Sequence, residues 1–155
     1  MIRKLENQDR KELKRILIAT EHFNDEEIKI ALELLDSYLE GEEDYKIYVY
    51  EENEKAAGYI CFGRRPLTDG THDLYWIAVD PNIQGKGIGR KLVMFMEEEL
   101  KKENGYLVLV ETSGKKNYEG ERTFYERNGY KVQTVIRDFY RTGDDLVVYC
   151  KYLDD

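Results

Sequence analysis

The chain is poor in cysteine, in long apolar runs and in basic charge, and each absence argues against a class of protein. Only Cys61 and Cys150 occur among 155 residues, both in apolar segments, so we expect buried reduced thiols and no disulfide framework. No apolar run is long enough to cross a bilayer and no signal-peptide pattern is recognisable, so we expect a cytoplasmic protein without membrane contact. The net charge of −8 argues against nucleic-acid binding, because phosphates require a basic surface.

Length and composition predict a single domain that spans residues 1–155. Apolar residues make up 41% of the chain and charged residues 36%, which is typical of a soluble globular protein. No repeat, low-complexity tract or linker divides the sequence. The acidic net charge is compatible with a cationic amine as substrate.

The chain is organised around a strand, a tight turn and a glycine-rich loop. The strand Tyr75–Val79 ends at Asp80-Pro81-Asn82, because proline cannot donate to a sheet ladder. The loop Gln84-Gly85-Lys86-Gly87-Ile88-Gly89 carries three glycines at alternate positions, which leave backbone N–H groups uncovered. A helix that starts within this loop directs its N-terminal dipole at the same place, and Lys86 and Arg90 add positive charge. The segment therefore predicts an anion site, such as one for a phosphate.

Two other glycine-rich phosphate sites fit this loop less well. The dinucleotide-binding pattern requires a further glycine at the position of Arg90, and it runs from strand to glycines without a proline turn. The P-loop requires Gly-Lys followed by Ser or Thr, which is absent here.

Apolar periodicity predicts four helices and about seven strands in a mixed α/β structure. We expect helices over Asp9–Thr20, from a cap at Asn24 or Asp25 to Gly41, over Gly87–Lys102 and over Tyr118–Asn128, and strands over Ile2–Leu5, Tyr45–Glu52, Lys55–Phe62, Asp73–Val79, Tyr106–Thr112, Tyr130–Asp138 and Asp145–Tyr152. The helix between the fourth and fifth strands implies a parallel crossover, whereas the short hairpins are antiparallel. Glu97-Glu98-Glu99 and the pair Arg64-Arg65 are expected to be solvated.

Two motifs together resemble one enzyme family. The pattern Gln-x-x-Gly-x-Gly after Ala-Val-Asp-Pro is similar to the acyl-CoA pyrophosphate loop of the GNAT N-acetyltransferase superfamily. About 35 residues later, Phe124-Tyr125-x-x-x-Gly129-Tyr130 resembles the Phe-Tyr-x-x-x-Gly-Phe/Tyr segment of that superfamily. The two stretches cover roughly half of the chain, with a buried strand between them.

The resemblance implies a mostly antiparallel seven-stranded sheet whose two central parallel strands splay apart to hold acetyl-CoA, the co-substrate. In such a fold the pyrophosphate meets the backbone of Gln84, Gly85, Lys86, Gly87, Ile88 and Gly89 beside Arg90, and the pantetheine arm pairs with Ile77, Ala78 and Val79. Many members carry an asparagine seven residues before the tyrosine of the Phe-Tyr pair. Tyr118 occupies that position here and Asn117 precedes it, so the residue that contacts CoA is open.

The resemblance also implies transfer of an acetyl group to a primary amine. Direct attack is expected, because neither cysteine lies in a nucleophile-and-base arrangement. Tyr125 is the expected general acid, since a phenol with a pKa of about 10 stays protonated at neutral pH. Glu111, a carboxylate predicted to be buried at a strand end, is the expected base. Asp73 and Tyr75 are rival candidates that face the substrate.

The sequence does not identify the acceptor amine. The segment Tyr140–Asp145 resembles a hairpin of N-terminal amine acetyltransferases, so a peptide or protein amine is the first expectation and a small polyamine the second. A longer acyl donor, an acyl-CoA-binding module without turnover and a nucleotide-binding protein are the alternatives. We expect no metal, and either a monomer or a homodimer.

Overall fold

A computed structural model describes residues 1–83 and 85–153. Among these residues the chain forms seven strands and four α-helices, as predicted, and one short 3₁₀ helix. In chain order they are β1 Ile2–Lys4, α1 Asp9–Ala19, α2 Asp25–Leu39, β2 Lys46–Glu52, β3 Lys55–Arg64, β4 Thr71–Val79, α3 Ile88–Lys102, β5 Leu107–Ser113, the 3₁₀ helix Lys116–Tyr118, α4 Glu119–Arg127, β6 Lys131–Arg141 and β7 Asp144–Tyr152.

The strands form one mixed sheet in the order β1-β2-β3-β4-β5-β7-β6. β4 and β5 are parallel, with Thr71 to Asp73 in register with Leu107 to Leu109. The pairs β1–β2, β2–β3, β5–β7 and β6–β7 are antiparallel. The mixed, mostly antiparallel fold class is therefore confirmed. The splaying of β4 and β5 stays a prediction.

The chain divides into two compact units, and the division falls within β4 and within α3. The first unit comprises residues 1–63 and 76–96. Its core lies between the two N-terminal helices and the first strands, and its fully buried residues include Leu13, Ile16, Leu17, Leu35, Ile47, Val49 and Cys61. α2 begins with a capping box: the Asn24 side chain accepts from the Glu27 amide at 2.8 Å, and the Glu27 carboxylate accepts from the Asn24 amide at 3.0 Å.

The second unit comprises residues 64–75 and the chain from Glu97 onward. Its buried side chains come from β5, β7, α4, the turn after α4 and the last turns of α3, and they include Leu100, Val108, Val110, Tyr125, Tyr130, Leu146 and Tyr149. β6 is the edge strand of the sheet, and it is exposed at each of its residues. Both cysteines of the chain are free and buried, as predicted.

Three local predictions are wrong. β4 begins at Thr71, two residues before the predicted start at Asp73, because its polar first residues pair in register with β5. The last two strands are joined by Thr142-Gly143 alone, since Gly143 adopts a φ of 85° that permits a tight turn. Glu97 is buried at 8% exposure, although it was predicted to face solvent, because Tyr130 and Lys151 bind its carboxylate.

Candidate active site

Asp80 anchors the end of β4 in the first unit. Its amide donates to the carbonyl of Ala57 at 2.8 Å, and its Oδ1 accepts from the Asn82 amide at 3.0 Å. Its Oδ2 accepts from the Arg15 guanidinium at 2.6 Å. These bonds satisfy a buried carboxylate and hold the turn that leads into the glycine-rich loop.

The glycine-rich loop keeps an open backbone. Gly85 and Gly87 adopt φ values of 78° and 64°, the left-handed region that favours glycine. Apart from the adjoining residues, no heavy atom of the described part of the chain lies within 4 Å of the position that a Cβ would take at either glycine. The helix α3 begins at Ile88, directly after them. This arrangement presents backbone N–H groups at a helix N-terminus, which suits a phosphate. Gln84 lies outside the described residues.

The two basic residues of the loop differ in their surroundings. Lys86 Nζ lies 2.7 Å from Oε1 of Glu52, and this hydrogen bond raises the pKa of the lysine above its usual value. Arg90 is exposed in the first turn of α3. A ligand phosphate would therefore compete with Glu52 for Lys86, whereas Arg90 forms no ion pair with any other described residue.

The end of β4 lies close to β3. A Cβ on Gly58 would lie 2.9 Å from the carbonyl oxygen of Ala78, so glycine is required for this approach. Ala78 is buried, while Ile77 and Val79 are half-buried. On the same strand, Trp76 packs against Phe23 of the segment between α1 and α2, with ring centroids 5.3 Å apart.

In the second unit, three predicted residues lie close to one that was not predicted. Arg65 Nη2 donates to Oδ1 of Asp73 at 2.7 Å and lies 3.8 Å from Oε2 of Glu111. The hydrogen bond to Asp73 raises the pKa of Arg65, and the negative charges of Asp73 and Glu111 act in the same direction, with a smaller contribution from Tyr75. Arg65 was expected to be solvated. Its position directly after β3, in the loop that leads to the strand carrying Asp73, was the available signal.

The environment of Glu111 differs from the prediction. Its side chain is 50% exposed, so the expectation of a buried carboxylate is wrong. The reason is the alternation of β5, which directs Glu111 away from the apolar side that buries Val108 and Val110. Asp73, in contrast, is buried and bonded to Arg65.

Tyr125 lies in a cluster of aromatic rings within the second unit. Its ring centroid lies 5.4 Å from Phe124, 6.2 Å from Tyr130 and 6.1 Å from Tyr149. Tyr125 is 7% exposed, and burial raises its pKa well above the usual value, with a smaller contribution from the charge of Glu121. Its phenol therefore keeps its proton at neutral pH.

The two neighbouring tyrosines are anchored by carboxylates. The Tyr130 hydroxyl donates to Oε2 of Glu97 at 2.9 Å, and the Tyr149 hydroxyl donates to Oε2 of Glu126 at 2.8 Å. These bonds hold the rings against which Tyr125 packs. Glu97 and Glu126 were not predicted to take part, since their partners lie far away along the chain.

The remaining predicted residues lie at the start of α4. Asn117 is exposed and Tyr118 is half-buried, both within the 3₁₀ helix. Which of them contacts CoA stays a prediction. Within residues 1–83 and 85–153, no group of three metal-ligating side chains is present. The same residues contain no helix long and apolar enough to span a membrane.

Comparison with known proteins identifies the family. The model of the acetyltransferase (GNAT) domain matches residues 43–132. A crystal structure from Desulfovibrio desulfuricans, assigned to the GNAT family of acetyltransferases, is 37% identical, with a TM-score of 0.94 over 99% of this chain and 98% of that one. The chain belongs to the GNAT acetyltransferase family.

Two further relatives are more distant. S-(2-succino)cysteine N-acetyltransferase of Bacillus subtilis is 30% identical over 62% of this chain, and the match spans 61% of its own length. An acetyltransferase from Salmonella typhimurium, solved with its cofactor acetyl-CoA, is 23% identical, with a TM-score of 0.74 over 100% of this chain and 94% of that one. The second likeness is one of fold alone.

Proposed function

We propose that the protein transfers an acetyl group from acetyl-CoA to a primary amine by direct attack in a ternary complex. The observation that carries this proposal is the loop with Gly85 and Gly87 in left-handed conformations at the start of α3, inside a chain of the GNAT family. The acetyl-CoA held by the related fold of the Salmonella typhimurium enzyme supports the choice of donor.

The glycine-rich loop and the end of β4 would hold the co-substrate. The backbone of Gly85, Lys86, Gly87, Ile88 and Gly89 is the proposed pyrophosphate site, beside the exposed Arg90 and together with Gln84. The open space where a Cβ would lie at two of these glycines fits close approach of a phosphate. Ile77, Ala78 and Val79 would pair with the pantetheine arm as an added strand.

Glu111 and Tyr125 would supply the proton transfers. The acceptor ammonium loses a proton to Glu111, and the free amine forms a bond to the carbonyl carbon of the thioester. The nitrogen then gives up its second proton to solvent, the carbon–sulfur bond breaks, and Tyr125 donates its proton to the departing thiolate and regains one from solvent. Glu111 is preferred to Asp73 as the base, because the Asp73 carboxylate is buried and already accepts from Arg65.

Three classes of amine are candidates for the acceptor. The expectations from the sequence are a peptide or protein amine and a small polyamine. A free amino acid joins them because the Bacillus subtilis relative is named for an S-substituted cysteine. The cytoplasmic location, the single domain and the monomer or homodimer remain predictions.

The test is release of CoA thiol with a panel of amines, in the native protein and in two variants. Tyr125→Phe should lower kcat about 100-fold or more, since positioned general acids contribute at least that much. Tyr149→Phe is the matched control: it removes a neighbouring hydroxyl that bonds Glu126 and should leave kcat within about threefold. An unchanged kcat in Tyr125→Phe would remove the proposed role of Tyr125.

A further inference from the structure

Arg65 carries more hydrogen-bond donors than the surrounding protein uses. A guanidinium has five N–H donors, and the one hydrogen bond of this group among the described residues goes to Asp73. Its Nε is buried and has no partner within the described part of the chain. The side chain as a whole is 43% exposed, so other donors face solvent.

Two carboxylates flank this guanidinium, but they are not equivalent. Asp73 is buried and bonded at 2.7 Å, so it balances the charge of Arg65 and fixes the side chain. Glu111 is half exposed and lies 3.8 Å from the same nitrogen, beyond hydrogen-bond distance. The Glu111 carboxylate and the Arg65 guanidinium are therefore both accessible to solvent and lie next to each other.

From this juxtaposition we infer that the acceptor is an α-amino acid, whose carboxylate binds Arg65 while its ammonium binds Glu111. The inference rests on the amine acetyltransfer proposed above. An α-amino acid carries its opposite charges on neighbouring atoms, which matches a cation and an anion 3.8 Å apart. The planar fork of arginine suits a carboxylate in particular.

The two other acceptor classes fit the same residues less well. A polyamine would bring a second cation toward the Arg65 guanidinium, which repels it. A peptide amine presents a neutral amide where the amino acid presents a carboxylate, so it gains no charge-assisted bond from Arg65. A free amino acid satisfies both Arg65 and Glu111 with one small molecule.

The experiment compares acceptors that differ only in the carboxylate. The pairs are phenylalanine with phenethylamine, lysine with cadaverine, and an S-alkylated cysteine with the corresponding S-alkylated cysteamine. The native protein should prefer at least one amino acid to its decarboxylated partner by about 30-fold in kcat/KM, as expected for a charge-assisted hydrogen bond. Arg65→Gln should abolish this preference, and Arg65→Lys should reduce it in part, since lysine keeps the charge and loses the fork.

Arg64→Gln is the matched control. Arg64 lies next to Arg65 and donates to the backbone carbonyl of Thr68 in the same loop. The variant therefore perturbs the loop but keeps Arg65, and the preference for a carboxylate should be unchanged. Transfer to the decarboxylated amines with equal or greater efficiency would overturn the inference while the proposed acetyltransfer stands. A tenfold weaker affinity of Arg65→Gln for CoA, with the amino-acid preference intact, would assign the guanidinium to a CoA phosphate and also overturn it. No transfer to any amine would instead overturn the proposed function, and the inference with it.

Discussion

The ammonium of Lys151 lies 3.0 Å from Oε1 and 3.2 Å from Oε2 of the buried Glu97. It also donates to the backbone carbonyl of Asn128 at 3.0 Å. The second oxygen of Glu97 accepts from Tyr130, whose ring packs against Tyr125. One ion pair thus connects α3, β7 and the turn after α4 behind the proposed general acid.

Glu97→Gln should destabilise the protein by about 3 kcal/mol, because it leaves a partly buried ammonium without its counter-charge. Glu98→Gln is the matched control: Glu98 is 68% exposed, and its pair with Lys101 at 3.5 Å should be worth less than about 0.5 kcal/mol. Urea midpoints at an unchanged slope measure both effects. Equal midpoints for the two variants would show that the buried pair adds nothing.

The free energy of unfolding should fall as pH rises above about 10, the ordinary pKa of tyrosine. Burial, together with the bond to Glu126, raises the pKa of Tyr149 to about 12, and burial also raises the pKa of Tyr125 and Tyr130. The folded state therefore keeps protons that the unfolded state releases, so the stabilisation is complete below pH 10 and, for Tyr149, is lost between pH 10 and about 12.

Urea denaturation at successive alkaline pH values measures this slope. Tyr149→Phe should make the slope shallower, because it removes one of the groups that resist ionisation. The exposed Tyr152→Phe should leave it unchanged. A stability that is flat with pH up to about 12 would contradict the burial of these phenols.

Gly87→Ala should weaken CoA binding about tenfold. Alanine in a left-handed conformation costs on the order of 1 kcal/mol, and its methyl group would cover the backbone that the phosphate approaches. Gly143→Ala is the matched control, since Gly143 has a φ of 85° and equally open surroundings in the turn between β6 and β7. Gly143→Ala should lower the free energy of unfolding by a similar amount and leave the affinity for CoA unchanged. Equal losses of CoA affinity in both variants would contradict the assignment of the glycine-rich loop to CoA.

Glu111→Gln should remove the acidic limb of the pH profile of kcat/KM, because the amide cannot accept the ammonium proton. Asp73→Asn should lower kcat/KM while the limb remains, since Asp73 acts by holding Arg65. The opposite result, with the limb lost only in Asp73→Asn, would identify Asp73 as the base.

Local patterns predicted most of the fold. The helix over Asp9–Thr20 and the cap at Asn24 or Asp25 need only neighbours three or four residues away, and the structure has α1 over Asp9–Ala19 and the cap at Asn24. The helix between β4 and β5 likewise fixed a parallel pair by connectivity alone. Such features are encoded within a few turns of chain.

Charged side chains with distant partners were harder to predict. Glu97 was expected to be solvated, but its partners lie 33 and 54 residues farther along the chain. Arg65 was also expected to be solvated, yet it meets Asp73 and Glu111 through the strand pairing of the sheet. A charged side chain can be buried only where hydrogen-bond or ion-pair partners compensate its charge. The spacing of residues in the sequence does not show which distant residues are those partners.

The most direct test of the central claim is isothermal titration calorimetry of the folded protein with acetyl-CoA, with CoA, ATP and NAD in parallel. We predict micromolar binding of acetyl-CoA and CoA, and no binding of ATP or NAD. Absence of CoA binding, or binding of ATP or NAD in its place, would contradict the assignment of the glycine-rich loop to acetyl-CoA.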